Sequence, residues 1–224
     1  SHVGNRDILI GSVAAAVAVI EACFERMSRG SVENRPRYRL RLEHGALAVM
    51  SAADLELGYA GAKVYAGFAD GARFIVSLFR SDAPELVAVL EANKLGQLRT
   101  GAASGVAAKH LAPPGATSLG VIGCGWQAET QIACIRAAVP SVERVVAYCR
   151  TEPRLHDFCE RNDCEAGESH RDPAECDIVV TVTGSPDPVL RGEWLRDGAL
   201  VCAVGADSKL DISTGLKSLL KPEV

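Results

Sequence analysis

SLGVIGCGWQAETQIACIRAAV, residues 118–139, decides how the second half of the chain folds. SLGVIG reads as a short apolar strand and WQAETQIACIRAAV as a helix, with Gly123 and Gly125 at the junction. Together with Ala128 they spell G-x-G-x-x-A. Each small residue has a task in that setting. Gly123 permits the tight turn, Gly125 lets a pyrophosphate approach the backbone without meeting a Cβ, and Ala128 lets the helix lie close on the strand. The helix start then offers amide hydrogens and a partial positive charge to phosphate oxygens. A lone G-x-G is weak evidence, and a β–α turn that binds nothing has the same glycines. Here a strand precedes and a helix follows, so the stretch predicts a dinucleotide site.

The pattern continues downstream. VERVVAYCR predicts a second strand and EPRLHDFCERN a second helix; CDIVVTVTG and ALVCAVGAD predict two more strands. Continuous apolar strands alternating with helices imply a parallel sheet covered on both faces, a Rossmann-type domain over 115–207. The end of the second strand separates the two nicotinamide cofactors. An acid there would accept from the ribose 2′-hydroxyl of NAD. This chain has YCRT instead, and Arg150, followed by Thr151, suits a 2′-phosphate. NADP is therefore expected ahead of NAD. The alternative leaves Arg150 in solvent and gives the ribose to Glu152.

Upstream the period differs. Residues 12–29 carry helical spacing, with Val13, Val17, Ile20, Phe24 and Met27 on one face and Gly30 as a stop. From 37 to 92 come neighbouring β-rich runs, among them AKVYAGF and ARFIVSLFR, for which antiparallel pairing is expected. Residues 94–111 form a helix whose Ala and Gly face suits close packing against a backbone or a ligand. The shift of period after APPGATS (112–118) sets a domain boundary near residue 115. Residues 1–114 make the first domain, with 208–224 joining it.

Composition excludes several classes. Lys and Arg total 24 against 28 Asp and Glu, a net charge of -4, which gives no general pull toward nucleic acid or an anionic membrane. No apolar run approaches the roughly 20 residues needed for a span. The eight cysteines include no C-x-x-C pair and no zinc-ribbon spacing, so no metal is expected. They read as free thiols of a reducing cytoplasm.

Three longer motifs, LGQLRTGAASGVAAKHLA (95–112), LGVIGCGWQAETQ (119–131) and PVLRGEWLRDGALVCAVGAD (188–207), together resemble the ornithine cyclodeaminase/mu-crystallin family. The resemblance implies an α/β fold: the Rossmann domain plus an α+β dimerisation and substrate domain with antiparallel strands, and hence a homodimer. It implies chemistry at the α-carbon of an amino or imino acid with a nicotinamide cofactor. Carried over by position, Arg37 and Arg99 match arginines for the substrate carboxylate, and Lys63 a lysine beside the reacting nitrogen. Asp207 matches an acid that handles amine or water protons. Arg99, Thr100, Gln127, Thr183 and Val204 match cofactor contacts. ISTGL resembles a motif near the family's C-terminus in which a serine, here Ser213, touches the cofactor; the sequence before it is shorter than the family's, as if a segment were missing. Three functions are thereby expected in order: an NADPH-dependent imino-acid (ketimine) reductase or amino-acid dehydrogenase, an ornithine cyclodeaminase forming proline, and a nucleotide-binding protein without catalysis.

Overall fold

The structure, a computed structural model, describes residues 12–68 and 71–205 together with the backbone of 2–3 and 210–211. Asp207 and Ser213 lie outside the described residues. The chain forms two compact units, Ser1–Arg99 and Thr100–Val224. The division falls inside a helix, ahead of the loop near residue 115 where the strand pattern changes.

The first unit is built on one sheet. Its elements are β1 (His2–Val3), α1 (Val13–Ser28), β2 (Val32–Asn34), β3 (Tyr38–Arg41), β4 (Gly45–Asp54), β5 (Tyr59–Phe68), β6 (Gly71–Arg80) and β7 (Leu86–Glu91). The strand order is β1-β7-β6-β5-β4-β2, with β3 also on β4. Every pairing is antiparallel except β1 with β7. Residues directly opposite one another share a face. Lys63 opposes Val76 and Tyr65 opposes Phe74, so these four lie on one side. Val64 with Ile75 and Ala60 with Phe79 lie on the other, where Ile75 and Phe79 remain 49% and 42% exposed. α1 occupies the expected span. The Ser12 hydroxyl accepts from the Ala15 amide, and Gly30 follows the last turn at φ +77°. The expected apolar face of α1 is only partly buried. Val17 is covered, whereas Phe24 and Met27 are exposed, because helical spacing aligns the side chains without supplying a surface to cover them.

α2 (Asn93–Leu111) runs across the division, and the second unit continues with β8 (Ser118–Ile122), α3 (Trp126–Ala138), β9 (Arg144–Tyr148), α4 (Glu152–Asn162), β10 (Glu165–Ala166), α5 (Arg171–Ala174), β11 (Ile178–Thr181), β12 (Leu190–Arg191), a 3-10 turn (Gly192–Trp194), β13 (Leu200–Ala203) and β14 (Leu210–Asp211). Five strands are parallel in the order β10-β9-β8-β11-β13, the doubly wound arrangement the sequence predicts. Every residue of β8 and β11 is buried, as strands covered on both faces require. One core gathers Leu119, Val121, Ile135, Phe158 and Val180; a second, on the other face, gathers Ile122, Val179 and Leu190. The small face of α2 packs against backbone: a Cβ at Gly101 would stand 2.4 Å from the Thr130 carbonyl oxygen. All eight cysteines are free.

Asp177 pins the N-terminal ends of β8 and β11. Its carboxylate accepts from the Thr117 and Ser118 amides and the Ser118 hydroxyl, at 2.7–3.0 Å, and pairs with Arg196 at 3.1 Å. Burial alone would raise its pKa; the Ser118 hydroxyl, the two amides and Arg196 overcome that and hold it at about 2. A carboxylate depressed in the folded state stabilises above its unfolded pKa, and that contribution is lost as pH falls toward about 2. Asp177→Ala should therefore lower stability by about 2–3 kcal/mol at pH 7, with a shrinking difference from wild type below pH ~4. Denaturant melts at pH 7 and pH 3 measure both; a constant gap would remove the carboxylate from this role.

Candidate functional site

In the second unit a cleft of about 360 Å³ opens at the C-terminal ends of β8, β9 and β11. Here the chain order reverses across the sheet, the place where doubly wound sheets take ligands. Gly123, the first residue after β8, has φ +113°, and a Cβ there would lie 2.6 Å from the Val182 carbonyl oxygen. Only glycine fits that turn. Gly125 is different. It caps α3 with φ −92° and ψ 176°, which any residue can adopt, and a Cβ there would meet nothing within 4 Å. The fold itself therefore does not require glycine at 125; the vacant space lies on the cleft wall. α3 has no side-chain cap, so its first turn offers backbone donors and the positive end of the helix dipole. Ala128 is fully buried, as close helix–strand packing demands. This cradle fits the diphosphate of a dinucleotide.

Three of the other expected nucleotide contacts fall around the same rim, whereas Gln127 and Val204 are not among the residues that line it. Arg150, Thr151 and Thr183 line the cleft, and the Thr183 hydroxyl accepts from the Ser185 amide at 3.2 Å. Gln127 lies in the first turn of α3, its Oε1 buried without a protein hydrogen bond. Val204 follows β13, its amide donating to the Thr181 carbonyl. Glu152 begins α4 beside His156 and does not line the cleft. Asp187 is the one carboxylate among the described lining residues, whereas Arg150, Arg154 and His170 bring cationic or titratable nitrogen. The His170 ring stands edge-on to Tyr148 at 4.7 Å, and burial, then Arg150, push its pKa down. Arg154 and His170 carry no signal in the local sequence; the fold brings them to the cleft from α4 and the turn before α5.

The first unit gathers the residues assigned to substrate. The Lys63 ammonium lies 4.9 Å from the Phe74 ring centroid and 5.4 Å from that of Tyr65, and the Arg37 guanidinium stands 5.8 Å from Tyr65. Burial pushes the Lys63 pKa down, and Arg99 and Arg37 push it further. Arg99 is lowered by crowding of its charged end and then by Arg37, although its surface remains partly open. Among neighbouring arginines, Arg35 pairs with Glu33, which leaves Arg37 to face Tyr65. Among the described residues no carboxylate pairs with Arg37, Lys63 or Arg99. Two cations over aromatic rings, with the Arg99 charge acting on both, make a seat for an anion. Tyr65 and Phe74 were not singled out from the sequence. The period of two that places Tyr65 beside Lys63 was legible there; the cross-strand partner Phe74 required the register. Thr100 follows Arg99 on α2 and belongs to the second unit.

The pattern of the ornithine cyclodeaminase/mu-crystallin family matches residues 7–217. The chain belongs to that family. It is 34% identical over 207 residues to alanine dehydrogenase of Archaeoglobus fulgidus, covering 88% of this chain and 63% of that protein. It is 40% identical over 139 residues to the Δ1-pyrroline-2-carboxylate reductase of Bacillus cereus strain ATCC 14579, covering 59% of this chain and 42% of the reductase. Among solved structures, the archaeal alanine dehydrogenase dimer with bound NAD superposes with a TM-score of 0.82 at 29% identity, over 89% of this chain and 65% of that one. This chain thus spans less than two thirds of the length of these relatives. Among the described residues no helix is long and apolar enough to cross a membrane, and no group of three or more His, Cys, Asp or Glu is placed to hold a metal ion.

Proposed function

We propose that this chain works in a nicotinamide-dependent oxidoreductase that acts at the α-carbon of a small amino or imino acid, as an imino-acid (ketimine) reductase or amino-acid dehydrogenase. The observation that carries this is the convergence of Arg37, Lys63 and Arg99, which have no carboxylate partner among the described residues. The second unit's glycine cradle supports it. When bound, the nicotinamide supplies or accepts the hydride; Gly123, Gly125 and α3 would seat its diphosphate, with Gln127, Ala128, Thr183 and Val204 around them.

The chain's own residues do the rest. Arg37 and Arg99 hold the substrate carboxylate, which fixes the α-carbon and supplies much of the rate through orientation. Lys63, its pKa held below the ordinary lysine range, moves the proton at the substrate nitrogen. Asp207, outside the described residues, is assigned the second proton-handling role. The assay is absorbance at 340 nm. Pyrroline-2-carboxylate or piperideine-2-carboxylate should consume NADPH. Proline and ammonia from ornithine without net nucleotide change would replace this reading with cyclodeamination, and nucleotide binding without turnover would leave only a binding protein.

NADP is favoured over NAD because Arg150, Arg154 and His170 line the cleft where an acid would serve NAD. Arg150→Asp should move the NADPH/NADH preference toward NADH by about tenfold or more, the value of one charge-assisted pair. Fluorescence titration of each cofactor measures it, and an unmoved ratio removes Arg150 from the 2′-phosphate. A homodimer follows from the uncovered sheet face of the first unit, where Tyr38, Leu40, Ile75 and Phe79 are exposed. Sedimentation of the chain tests it. A cytoplasmic location is part of the same reading, on the eight free thiols.

A further inference from the structure

We propose that His170 is a proton-gated specificity residue of the nucleotide cleft: it contacts the 2′-phosphate of NADP as an imidazolium and gives NAD no such contact. This deepens the cofactor reading above and rests on it. His170 has no part in the Gly123–Gly125 cradle or in the hydride chemistry, yet it lines the cleft with Arg150 and Arg154. Its place is fixed from two sides. The Gly167 amide donates to the Ala147 carbonyl at 2.8 Å, which ties the turn before α5 to β9. The Asp172 carboxylate accepts from the Glu168 and Ser169 amides at 2.7 and 2.8 Å, which closes that turn. The ring then meets Tyr148, the last residue of β9, with centroids 4.7 Å apart. Arg150 comes two residues after Tyr148, at the strand end where a Rossmann-type sheet receives the adenosine ribose.

The charges around the ring decide what it can hold. β9 and the segment after it bring Tyr148, Cys149 and Arg150 to the cleft, α4 brings Arg154, the glycine turn brings Cys124, and the loop beyond β11 brings Asp187. On the ring's own turn and on α5, Asp172 is engaged by the two amides and Arg171 pairs with Glu175 at 2.7 Å. Asp187 is exposed, and among the described residues no carboxylate pairs with His170. A half-buried imidazolium beside a guanidinium is disfavoured, so burial and then Arg150 hold the His170 pKa below its ordinary value. The ring of the ligand-free protein is therefore neutral at pH 7. A phosphate monoester carries close to two negative charges there. Held between Arg150 and Arg154, it offsets their repulsion and reverses the balance at His170, which takes up a proton as NADP binds. NAD has a hydroxyl in place of the phosphate and draws no proton. Proton uptake on binding means that affinity for NADP falls as pH rises through the neutral range, while affinity for NAD stays level. Another arginine would favour NADP at every pH; a histidine confines the added selectivity to the acid side.

The test is calorimetric titration of the chain with NADP⁺, NAD⁺ and adenosine 2′,5′-bisphosphate at about pH 6.5 and about pH 8, the NADP⁺ titration being repeated in buffers of different ionisation enthalpy to count protons. NADP⁺ should bind about fivefold more tightly at the lower pH and take up about half a proton near neutrality, whereas NAD⁺ should change by less than about twofold. His170→Gln, and His170→Phe, which keeps a ring against Tyr148, should both lose the slope and the uptake and bind NAD⁺ as the wild type does. The same variants subtract the titration of the phosphate itself, whose second pKa near 6 acts in the opposite sense. Should either variant fold poorly, the His170 imidazole signals of the wild type decide the matter: by NMR their pKa should rise with NADP⁺ and not with NAD⁺. A level NADP⁺ affinity, an equal slope for NAD⁺, or a slope retained in both variants overturns the role of His170 and leaves Arg150 and the cradle standing. A slope with the bisphosphate but no affinity for either dinucleotide sustains His170 and defeats the diphosphate cradle. Binding of none of the three removes both.

Discussion

Gly125→Val should fold as well as the wild type and lose its nucleotide. The backbone at 125 is extended and a Cβ there meets no protein atom within 4 Å, so the native state accommodates the side chain without strain. The same branched side chain would stand where a diphosphate must touch the amides of the α3 turn. Affinity for NADH and NADPH should fall at least about 100-fold, roughly 3 kcal/mol, with an unchanged thermal midpoint. Calorimetric titration and a melt on one sample separate the two quantities. Gly123→Val is the control in the opposite sense. Its φ is +113° and its Cβ would collide with the Val182 carbonyl, so stability itself should drop. Should Gly125→Val retain nucleotide, the cradle is only a turn and the functional proposal falls with it.

Lys63→Met should remove turnover while leaving the ligand-free protein at least as stable. Lys63 is a half-buried cation beside Arg37 and Arg99, with no carboxylate partner among the described residues. A methionine of similar length keeps the contact with Tyr65 and Phe74 and removes like-charge repulsion. Stability at neutral pH should therefore hold or rise. A lysine with a depressed pKa costs stability when charged, so the difference between variant and wild type should narrow as pH rises through the Lys63 pKa. Under the proposed function the substrate loses its proton donor, and kcat should fall by about 10²–10⁴. The carboxylate anchors remain, so KM should move less than kcat. A variant that turns over normally would leave Lys63 as a surface charge. Arg99→Ala should show the complementary split, with KM rising by orders of magnitude and the fold intact.

The chain presents two kinds of donor that suit anions. The glycine turn presents amides, which carry no net charge and suit a diphosphate spread over many oxygens. The Arg37–Lys63–Arg99 group presents full charges, which suit a compact carboxylate. In the ligand-free protein that second group repels itself, so substrate binding should be accompanied by stabilisation of the first unit.

By itself the sequence determined the periodic elements and the turn chemistry. Strand, glycine turn and helix at 118–139 are dictated by local sterics and hydrophobic spacing, and the structure has them where the residues place them. The succession of neighbouring β-rich runs over 37–92 led to antiparallel pairing, which the β4–β5–β6 register has. Sequence distance hid the rest. Phe74 meets Lys63 only through the β5–β6 register, and Arg154 and His170 reach the cleft because α4 and the turn before α5 both lie beside β9. The charge group likewise depends on tertiary structure: Arg35, Arg37, Arg39 and Arg41 are alike in sequence, and only the packed sheet separates the one beside Tyr65 from the one paired with Glu33. Burial of α1 is the clearest case. Spacing put Val17, Phe24 and Met27 on one face, but whether a face is covered depends on what the rest of the chain brings against it, and here only Val17 is.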